Sequence, residues 1–219
     1  KIVVLEEGYP FIEEKLKGMR CGKQVIGKLS GHIPLDGELN CESVKKALGI
    51  KVKQPVKVNA RLAPRPPQPC AGCPHSDLYR ALNEARGERD IMVFGDIGCY
   101  TLGALPPFNA ISTCICMGSS VNLARGASIA GAPTPIAVIG DSTFVHGGMP
   151  ALAEAAKQGN DLTLLILDNG TVAMTGGQET MAEGDQLVKL VEGLGVPREH
   201  IRVIEPLSQN HEKNVAILR

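Results

Sequence analysis

Two oxygen-bearing side chains follow two apolar, strand-like segments in the second half of the chain. Asp141 comes directly after PIAVIG (135–140), and Asn169 follows LTLLILD (162–168). In parallel α/β sheets ligands bind beyond the carboxyl ends of the strands, so both side chains face one crevice if the two strands are neighbours. A carboxylate, an amide oxygen and a free backbone carbonyl suit Mg²⁺, which completes its octahedron with phosphate oxygens and water. The spacing therefore predicts a cation and phosphate site at one edge of a sheet.

A helix and two histidines are expected on the same side of this crevice. Gly147 and Gly148 are predicted to open the helix after Asp141, and a helix N-terminus favours a phosphate. His75 and His146 stand next to proline or glycine turns. Each is either a contact to the phosphates or a proton donor, or it is a structural histidine with neither role.

Cysteines form the second group of chemically capable side chains. There are seven, an odd number without the spacing of a disulfide scaffold, which favours free or metal-bound thiols in an intracellular protein. Cys70 and Cys73 lie in CAGCPH (70–75), and Cys99 lies in GDIGCYTLG (95–103). A single C-x-x-C pair is compatible with a redox pair, half of a zinc site or neither.

Strands and helices alternate around these motifs from residue 90 onward. We predict strands in 90–98, 135–141, 162–170 and 200–206, and helices in 118–132, 148–159 and 184–196. This alternation predicts an α/β fold, a mainly parallel sheet with helices on both faces.

The first part of the chain reads as a small partial α/β segment. It contains a predicted strand at 2–5, helices at 9–17 and 41–48 with Asn40 as an N-cap, and an edge strand or extended tether at 50–58. The proline-rich RLAPRPPQPC (61–70) is the best boundary. We therefore predict the end of a preceding domain at 1–60 and a second domain at 61–219.

Composition excludes several classes of function. Lys plus Arg and Asp plus Glu number 23 each, and aromatic residues make up 3% with no Trp, so neither a basic field nor a stacking platform for nucleic acid is present. The longest apolar runs are too short to span a membrane, which takes roughly 20 residues. No signal peptide is visible. We expect a cytoplasmic protein that binds neither nucleic acid nor membrane.

The Asp141 and Asn169 segments carry a resemblance to a known family. GDS followed by LDNGTVAMTGG, with CMGSSVNLARGA before it, is similar to the motif of thiamine-diphosphate enzymes, in which GDG precedes an NN pair. The resemblance implies Mg²⁺ ligation by Asp141, Asn169 and the backbone carbonyl of Thr171, with Met117 as an apolar prop for the cofactor. The pattern departs at Asp168, which replaces an Asn, and at Gly177, where the family often has His. The resemblance also places these residues at the cofactor: Gly98, Cys99, Gly118, Gly140, Ser142 (in place of a Gly), Thr143, Met174 and Thr175.

The cysteines narrow the resemblance to the 2-oxoacid:ferredoxin oxidoreductases. In that family a CxGC pair and a third Cys in a GxGC turn bind a [4Fe–4S] cluster beside the thiamine, which implies Cys70, Cys73 and Cys99 as ligands. The alternative is that these are buried or cofactor-contacting thiols. A fourth cysteine follows the Asn motif in the family, whereas this chain has none after Cys116. The fourth ligand then lies beyond residue 219, or Cys114 or Cys116 replaces it, or no cluster is bound.

Within that family the motifs look most like those of the indolepyruvate-oxidising alpha subunits. This likeness implies oxidative decarboxylation of an aryl pyruvate to an acyl-CoA, with a beta subunit, ferredoxin and coenzyme A as partners. The glutamate that activates thiamine would lie on a pyrimidine-binding domain upstream or in another subunit, so the chain alone should not turn over. The alternatives are a pyruvate or 2-oxoglutarate ferredoxin oxidoreductase subunit, and a non-catalytic module of the same fold. A Rossmann-type protein is disfavoured because no G-x-G-x-x-G follows a strand.

Overall fold

The chain separates into two units, Lys1–Pro64 and Arg65–Arg219, and the division falls in the proline-rich segment. The computed structural model describes residues 1–19, 22–52 and 63–219. The predicted edge strand or tether at 50–58 lies largely outside the described residues.

The N-terminal unit pairs two short strands and carries two helices. Its elements are β1 (Ile2–Val3), α1 (Phe11–Gly18), β2 (Val25–Ile26) and α2 (Cys41–Ala47). The two strands run parallel. The Asn40 side chain accepts hydrogen bonds from the backbone N–H groups of Glu42 and Ser43, at 3.1 and 3.0 Å. These bonds satisfy two of the free N–H groups at the start of α2, which confirms Asn40 as its N-cap.

The C-terminal unit alternates strands with helices, as predicted. In chain order its elements are α3 (Pro74–Arg86), β3 (Val93–Gly95), β4 (Thr113–Cys114), α4 (Ser119–Ile129), β5 (Ile136–Gly140), α5 (Asp141–Thr143), α6 (Met149–Gln158), β6 (Thr163–Leu167), β7 (Thr171–Val172), β8 (Gln178–Glu179), α7 (Asp185–Gly193) and α8 (His211–Leu218). A 3₁₀ turn spans Cys99–Ala104, and a π-helical turn, Phe144–Gly148, joins α5 to α6.

Four parallel strands in the order β4-β3-β5-β6 form the central sheet. Alternate residues of β5 enter opposite cores: Ile136 and Val138 pack with α3, whereas Ala137 and Ile139 pack with α4, α6 and α7. Both faces of the sheet are thus covered, which explains why its sequence is continuously apolar. Helices on both faces of a parallel sheet confirm the predicted fold class.

The predicted strand at 200–206 is wrong. The structure has a 3₁₀ turn at Arg198–His200 and no strand after it. Two backbone carbonyl groups of this segment accept hydrogen bonds from side chains and not from a neighbouring strand. The Arg202 guanidinium donates to the Ile201 carbonyl at 3.0 Å, and Asn214 of α8 donates to the Glu205 carbonyl at 2.8 Å. An alternating pattern alone does not supply a partner strand, and here none is adjacent.

The helices α3 and α8 were not predicted from the sequence. α3 begins with Pro74, a residue that suits the first helical position because its missing N–H has no intrahelical partner there. α8 is tied to α3 by His211, whose Nε2 lies 2.8 Å from a Glu84 carboxylate oxygen. Within the residues that the structure describes, none of the helices has the length and apolar character to cross a membrane.

Candidate functional site

The tips of β5 and β6 meet at Asp141. The two strands pair in parallel register up to Gly140 and Leu167, so they are neighbours, as the site prediction required. The Asp141 carboxylate accepts hydrogen bonds from the backbone N–H groups of Asn169 (3.2 Å) and Gly170 (2.9 Å), and from Ser142 at 2.7 Å. One carboxylate therefore organises the loop that follows the neighbouring strand.

The Asp141 side chain is almost completely buried. Its residue is 3% exposed. Burial raises the pKa of its carboxyl above the ordinary value, the three backbone N–H bonds lower it, and the nearby charge of Asp168 raises it again. A divalent cation would offset the desolvation of this carboxylate, so the site fits Mg²⁺.

Asn169 and Thr171 lie on the loop beside Asp141. The Asn169 side-chain oxygen accepts the backbone N–H of Thr171 at 3.2 Å, and one lone pair of that oxygen remains available to a ligand. Thr171 starts the hairpin β7–β8, and its hydroxyl donates to the Gln178 carbonyl at 3.3 Å. The hairpin fixes the backbone at Thr171, whose carbonyl is the third predicted ligand.

Asp168 has a structural role that the sequence did not indicate. Its carboxylate accepts the Gly170 N–H at 3.3 Å and the Gly184 N–H at 2.6 Å. It thereby ties the Asn169 loop to the N-terminus of α7. An open depression beside this tie is lined by Asp168, Asn169, Gly170, Glu183, Gly184, Asp185 and Gln186.

Met174 and Thr175 occupy the exposed turn of the β7–β8 hairpin. Met174 is exposed, and the Thr175 hydroxyl lies 2.7 Å from the side-chain oxygen of Gln178. Both residues lie in the turn between β7 and β8, directly after Thr171 and Val172.

The helical backbone starts earlier than the sequence predicts. It begins at Asp141 itself and runs through the π turn into α6, so Gly147 and Gly148 lie inside a helical stretch and do not open one. His146 lies in the π turn. The error arose because glycines usually mark a helix boundary, whereas here they serve a close contact.

That close contact joins the π turn to the start of α4. Gly118 has φ +82°, and a Cβ built on it would lie 3.1 Å from the backbone Cα and C of Gly147. Met117 precedes Gly118 and is partly exposed. The close approach of Gly118 and Gly147 thus places Met117, the residue predicted to prop the cofactor, next to the segment that follows Asp141.

The three predicted cluster ligands are near one another. Cys73 precedes α3, and its N–H donates to the Cys70 carbonyl at 3.1 Å. The pKa of the Cys99 thiol is raised, first by burial and then by the charges of Cys70 and Cys73. Within the described ranges no three His, Cys, Asp or Glu side chains are arranged around a single ion. A cluster has several irons to share among its thiolates, so it does not require a single-ion arrangement.

Two further predicted site residues, His75 and Gly98, lie close in sequence to these cysteines. His75 is buried in α3, and burial lowers the pKa of its imidazole, which favours the neutral form. Gly98 precedes Cys99, and its missing side chain makes room for the Tyr100 ring.

A second buried aspartate, Asp96, was missed. It follows β3 in GDIGC just as Asp141 follows β5 in GDS, and it is 0% exposed. Its carboxylate accepts the Tyr100 hydroxyl, the Ser120 hydroxyl at 2.7 Å and the Ser120 N–H at 3.2 Å. The signal was present in the sequence, since a charge directly after an apolar strand needs partners in the fold.

Comparison with known proteins matches this domain to one family. Residues 96–213 match the thiamine pyrophosphate enzymes in their C-terminal TPP binding domain. The matched range covers more than half of the chain, and the chain therefore belongs to this family.

Individual relatives of the chain carry more specific names than the family does. Indolepyruvate oxidoreductase subunit IorA of Archaeoglobus fulgidus is 38% identical over 242 residues, which cover 100% of this chain and 38% of that protein. IorA of Pyrococcus abyssi is 35% identical over 213 residues, 84% of this chain and 33% of that protein. The chain thus spans well under half of the length of these curated relatives.

A solved structure also resembles the chain. The 2-oxoglutarate:ferredoxin oxidoreductase from Magnetococcus marinus, with 2-oxoglutarate, coenzyme A and succinyl-CoA bound, aligns with 57% of this chain and 46% of its own at a TM-score of 0.45 and 20% identity.

Proposed function

We propose that this chain is the diphosphate- and Mg²⁺-binding part of a thiamine-diphosphate-dependent 2-oxoacid:ferredoxin oxidoreductase. The observation that carries the proposal is the buried Asp141 carboxylate, held by backbone N–H groups of the neighbouring strand tip. The substrate in this proposal is an aryl pyruvate such as indolepyruvate, because two relatives at 38% and 35% identity are named indolepyruvate oxidoreductase subunits.

Three oxygen atoms of the chain hold the metal in this proposal. They are a carboxylate oxygen of Asp141, the amide oxygen of Asn169 and the backbone carbonyl of Thr171. Thiamine diphosphate held there would supply the nucleophilic carbon that the decarboxylation of a 2-oxoacid needs. Gly118 contacts the cofactor in this proposal, and Met117 supports its apolar part. The remaining assigned contacts are Gly98, Cys99, Gly140, Ser142, Thr143, Met174 and Thr175.

Cys70, Cys73 and Cys99 hold a [4Fe–4S] cluster in the same proposal. The effect of the first two thiols on the Cys99 pKa supports their proximity. Cys114 and Cys116 are exposed, as is the proposed ligand Cys70. The fourth ligand is one of these two thiols or a cysteine outside residues 1–219.

Other parts of the enzyme complete the reaction. A pyrimidine-binding domain, upstream or in another subunit, brings the activating glutamate, and a beta subunit completes the complex. Electrons go to ferredoxin and the acyl group goes to coenzyme A. Comparing aryl pyruvates with pyruvate and 2-oxoglutarate as substrates of the complete complex distinguishes the proposed substrate from its alternatives.

Asp141→Ala in the full-length protein tests the metal site. We expect the dissociation constant of thiamine diphosphate in the presence of Mg²⁺ to rise about a hundredfold or more, since even partners of metal ligands are worth 10–100-fold. The control is Asp161→Ala, an exposed aspartate before β6. Titration calorimetry measures both. Undiminished, Mg²⁺-dependent binding in Asp141→Ala would refute the proposed function.

Iron and acid-labile sulfide analysis tests the cluster. We expect anaerobically purified Cys73→Ser complex to lose the iron assigned to this site, whereas Cys41→Ser, at an exposed cysteine in α2, retains it. Equal iron in both variants removes the cluster from the proposal and leaves the thiamine site standing.

A further inference from the structure

The Asp96 carboxylate connects two segments that the proposed function uses separately. It is fully buried at the end of β3, and each of its two oxygens accepts a bond from a different segment. One segment is the 3₁₀ turn that begins with Cys99. The other is the N-terminus of α4, which follows Met117 and Gly118.

On the cysteine side the link runs through Tyr100, the residue after Cys99. Its hydroxyl donates to Asp96, and its backbone carbonyl accepts the Tyr79 hydroxyl at 2.6 Å. Its ring fills the space left by two glycines. A Cβ on Gly140 would lie 2.7 Å from the ring, and one on Gly98 would also collide with it. Tyr100 is thus clamped at both ends, and its position sets that of Cys99.

On the cofactor side the link runs through Ser120. Both its N–H and its hydroxyl donate to Asp96, at 3.2 and 2.7 Å. Ser120 lies in the first turn of α4, where the free N–H groups favour an anion. Two bonds to one residue fix the direction of that turn, and Gly118 directly precedes the turn.

We propose that Asp96 is a positioning residue that holds the Cys99 turn and the N-terminus of α4 in one geometry. A single carboxylate then fixes the position of the proposed thiamine site relative to the proposed cluster site. The names of the two ligands rest on the proposed function, whereas the link between Tyr100 and Ser120 rests on the described hydrogen bonds alone.

Two variants break the link from opposite sides. Ser120→Ala removes the serine hydroxyl, and Ser128→Ala on the same helix is its control. Tyr100→Phe removes the phenol hydroxyl and keeps the ring. Its control is Tyr9→Phe, which removes an exposed hydroxyl that donates to Glu14 just before α1. Each variant is assayed at the far end of the link, because a purely local structural role would have no effect there.

The first assay measures the rate at which iodoacetamide alkylates Cys99 in reduced, iron-free, full-length protein, read by peptide mass spectrometry. We expect Ser120→Ala to raise that rate about tenfold, because the free energy of one hydrogen bond to a charged group corresponds to a factor of about ten. Ser128→Ala should match the wild type.

The second assay measures the dissociation constant of thiamine diphosphate with Mg²⁺ in the full-length protein. We expect Tyr100→Phe to raise it about tenfold and Tyr9→Phe to leave it unchanged. The double variant Tyr100→Phe with Ser120→Ala should be no worse than the more affected single variant, because both bonds act through the same carboxylate.

Asp96→Asn provides the rescue. Its amide oxygen can keep the Ser120 bonds while its NH₂ faces Tyr100, whose hydroxyl can then donate to the Ile97 carbonyl at 3.2 Å. We expect Asp96→Asn to lie nearer the wild type than Asp96→Ala in both assays.

The absence of either far-end effect overturns the proposal. If wild-type protein binds no thiamine diphosphate, the proposed function fails, and the Cys99 alkylation assay alone decides whether Asp96 links the two segments.

Discussion

Two Gly-Asp pairs end neighbouring strands of the same parallel sheet, and they serve different purposes. Asp141, after β5, is held by backbone N–H groups of its own helix and of the adjacent loop. Asp96, after β3, is held by the side chains of Tyr100 and Ser120 and by one N–H. Both are nearly or fully buried, at 3% and 0% exposure. A Gly-Asp pair after an apolar strand therefore does not define a role, because the role depends on which groups surround the carboxylate.

The surroundings of the two carboxylates also differ. Burial raises the pKa of Asp141, so in the absence of a cation this charge is held at a cost. Asp96 faces donors from two other segments and connects them. We interpret Asp141 as a residue prepared for a ligand and Asp96 as a residue that completes the fold around it.

The largest expected difference is in the stability of ligand-free protein. Asp96→Ala leaves the Ser120 hydroxyl without its acceptor and the Tyr100 hydroxyl with only the Ile97 carbonyl, and we expect it to lower the free energy of unfolding by about 3 kcal/mol. Asp141→Ala loses backbone bonds but relieves a desolvated charge, so we expect at most about 1 kcal/mol. Chemical denaturation measures both, and equal losses would contradict the distinction.

The contact between α4 and the π turn should give the next largest effect. Gly118→Ala forces an L-residue to φ +82° with its Cβ 3.1 Å from Gly147, and we expect a loss of about 2 kcal/mol. Gly126→Ala, in the same helix with open space around it, should instead gain up to about 1 kcal/mol. Thermal unfolding of the two variants compares them. A stable Gly118→Ala protein would show that this approach is not tight.

A smaller effect is expected where the two strand tips touch each other. The Thr143 hydroxyl, two residues after Asp141, donates to the Ile97 carbonyl, one residue after Asp96, at 3.2 Å. Thr143→Val removes this bond with little change of shape and should cost about 1 kcal/mol. Thr163→Val, at an exposed position of β6, is the control. Identical unfolding midpoints in both variants would exclude a contribution from this bond.

The pH dependence of Asp141 is the finest test. Because its folded pKa is raised, its contribution to stability is present below the ordinary aspartate pKa and is lost as pH rises through the raised value. Ligand-free wild type should therefore gain stability relative to Asp141→Ala as pH falls through that window. Unfolding midpoints in a chelating buffer measure the difference, and the opposite slope would contradict the burial of this charge.

The sequence predicted most of the sheet and the candidate metal ligands because their signals are local. Apolar runs such as 135–140 identify strands that are covered on both faces, and the polar residues that end them must lie at the same edge of a parallel sheet. The spacing between Asp141 and Asn169 thus carried three-dimensional information before the fold was known. Their ligand roles remain predictions.

Where the signal was not local, the sequence misled or was silent. The alternation at 200–206 predicted a strand, but pairing needs a neighbour, and Asn214 of α8 binds a carbonyl there instead. Gly147 and Gly148 indicated a helix start, although Gly147 actually faces the Gly118 backbone. Gly118 and Gly147 are far apart in the chain, so a short window of sequence does not contain both partners of their contact.

The amino-acid sequence by itself determined the alternation of strands and helices, the apolar sheet and the chemistry available at each strand end. Only the tertiary structure decided which of two Gly-Asp pairs is joined to its neighbouring loop and which to Tyr100 and Ser120. The physical reason is that a buried carboxylate takes its character from the donors around it, and packing brings those donors from distant parts of the chain.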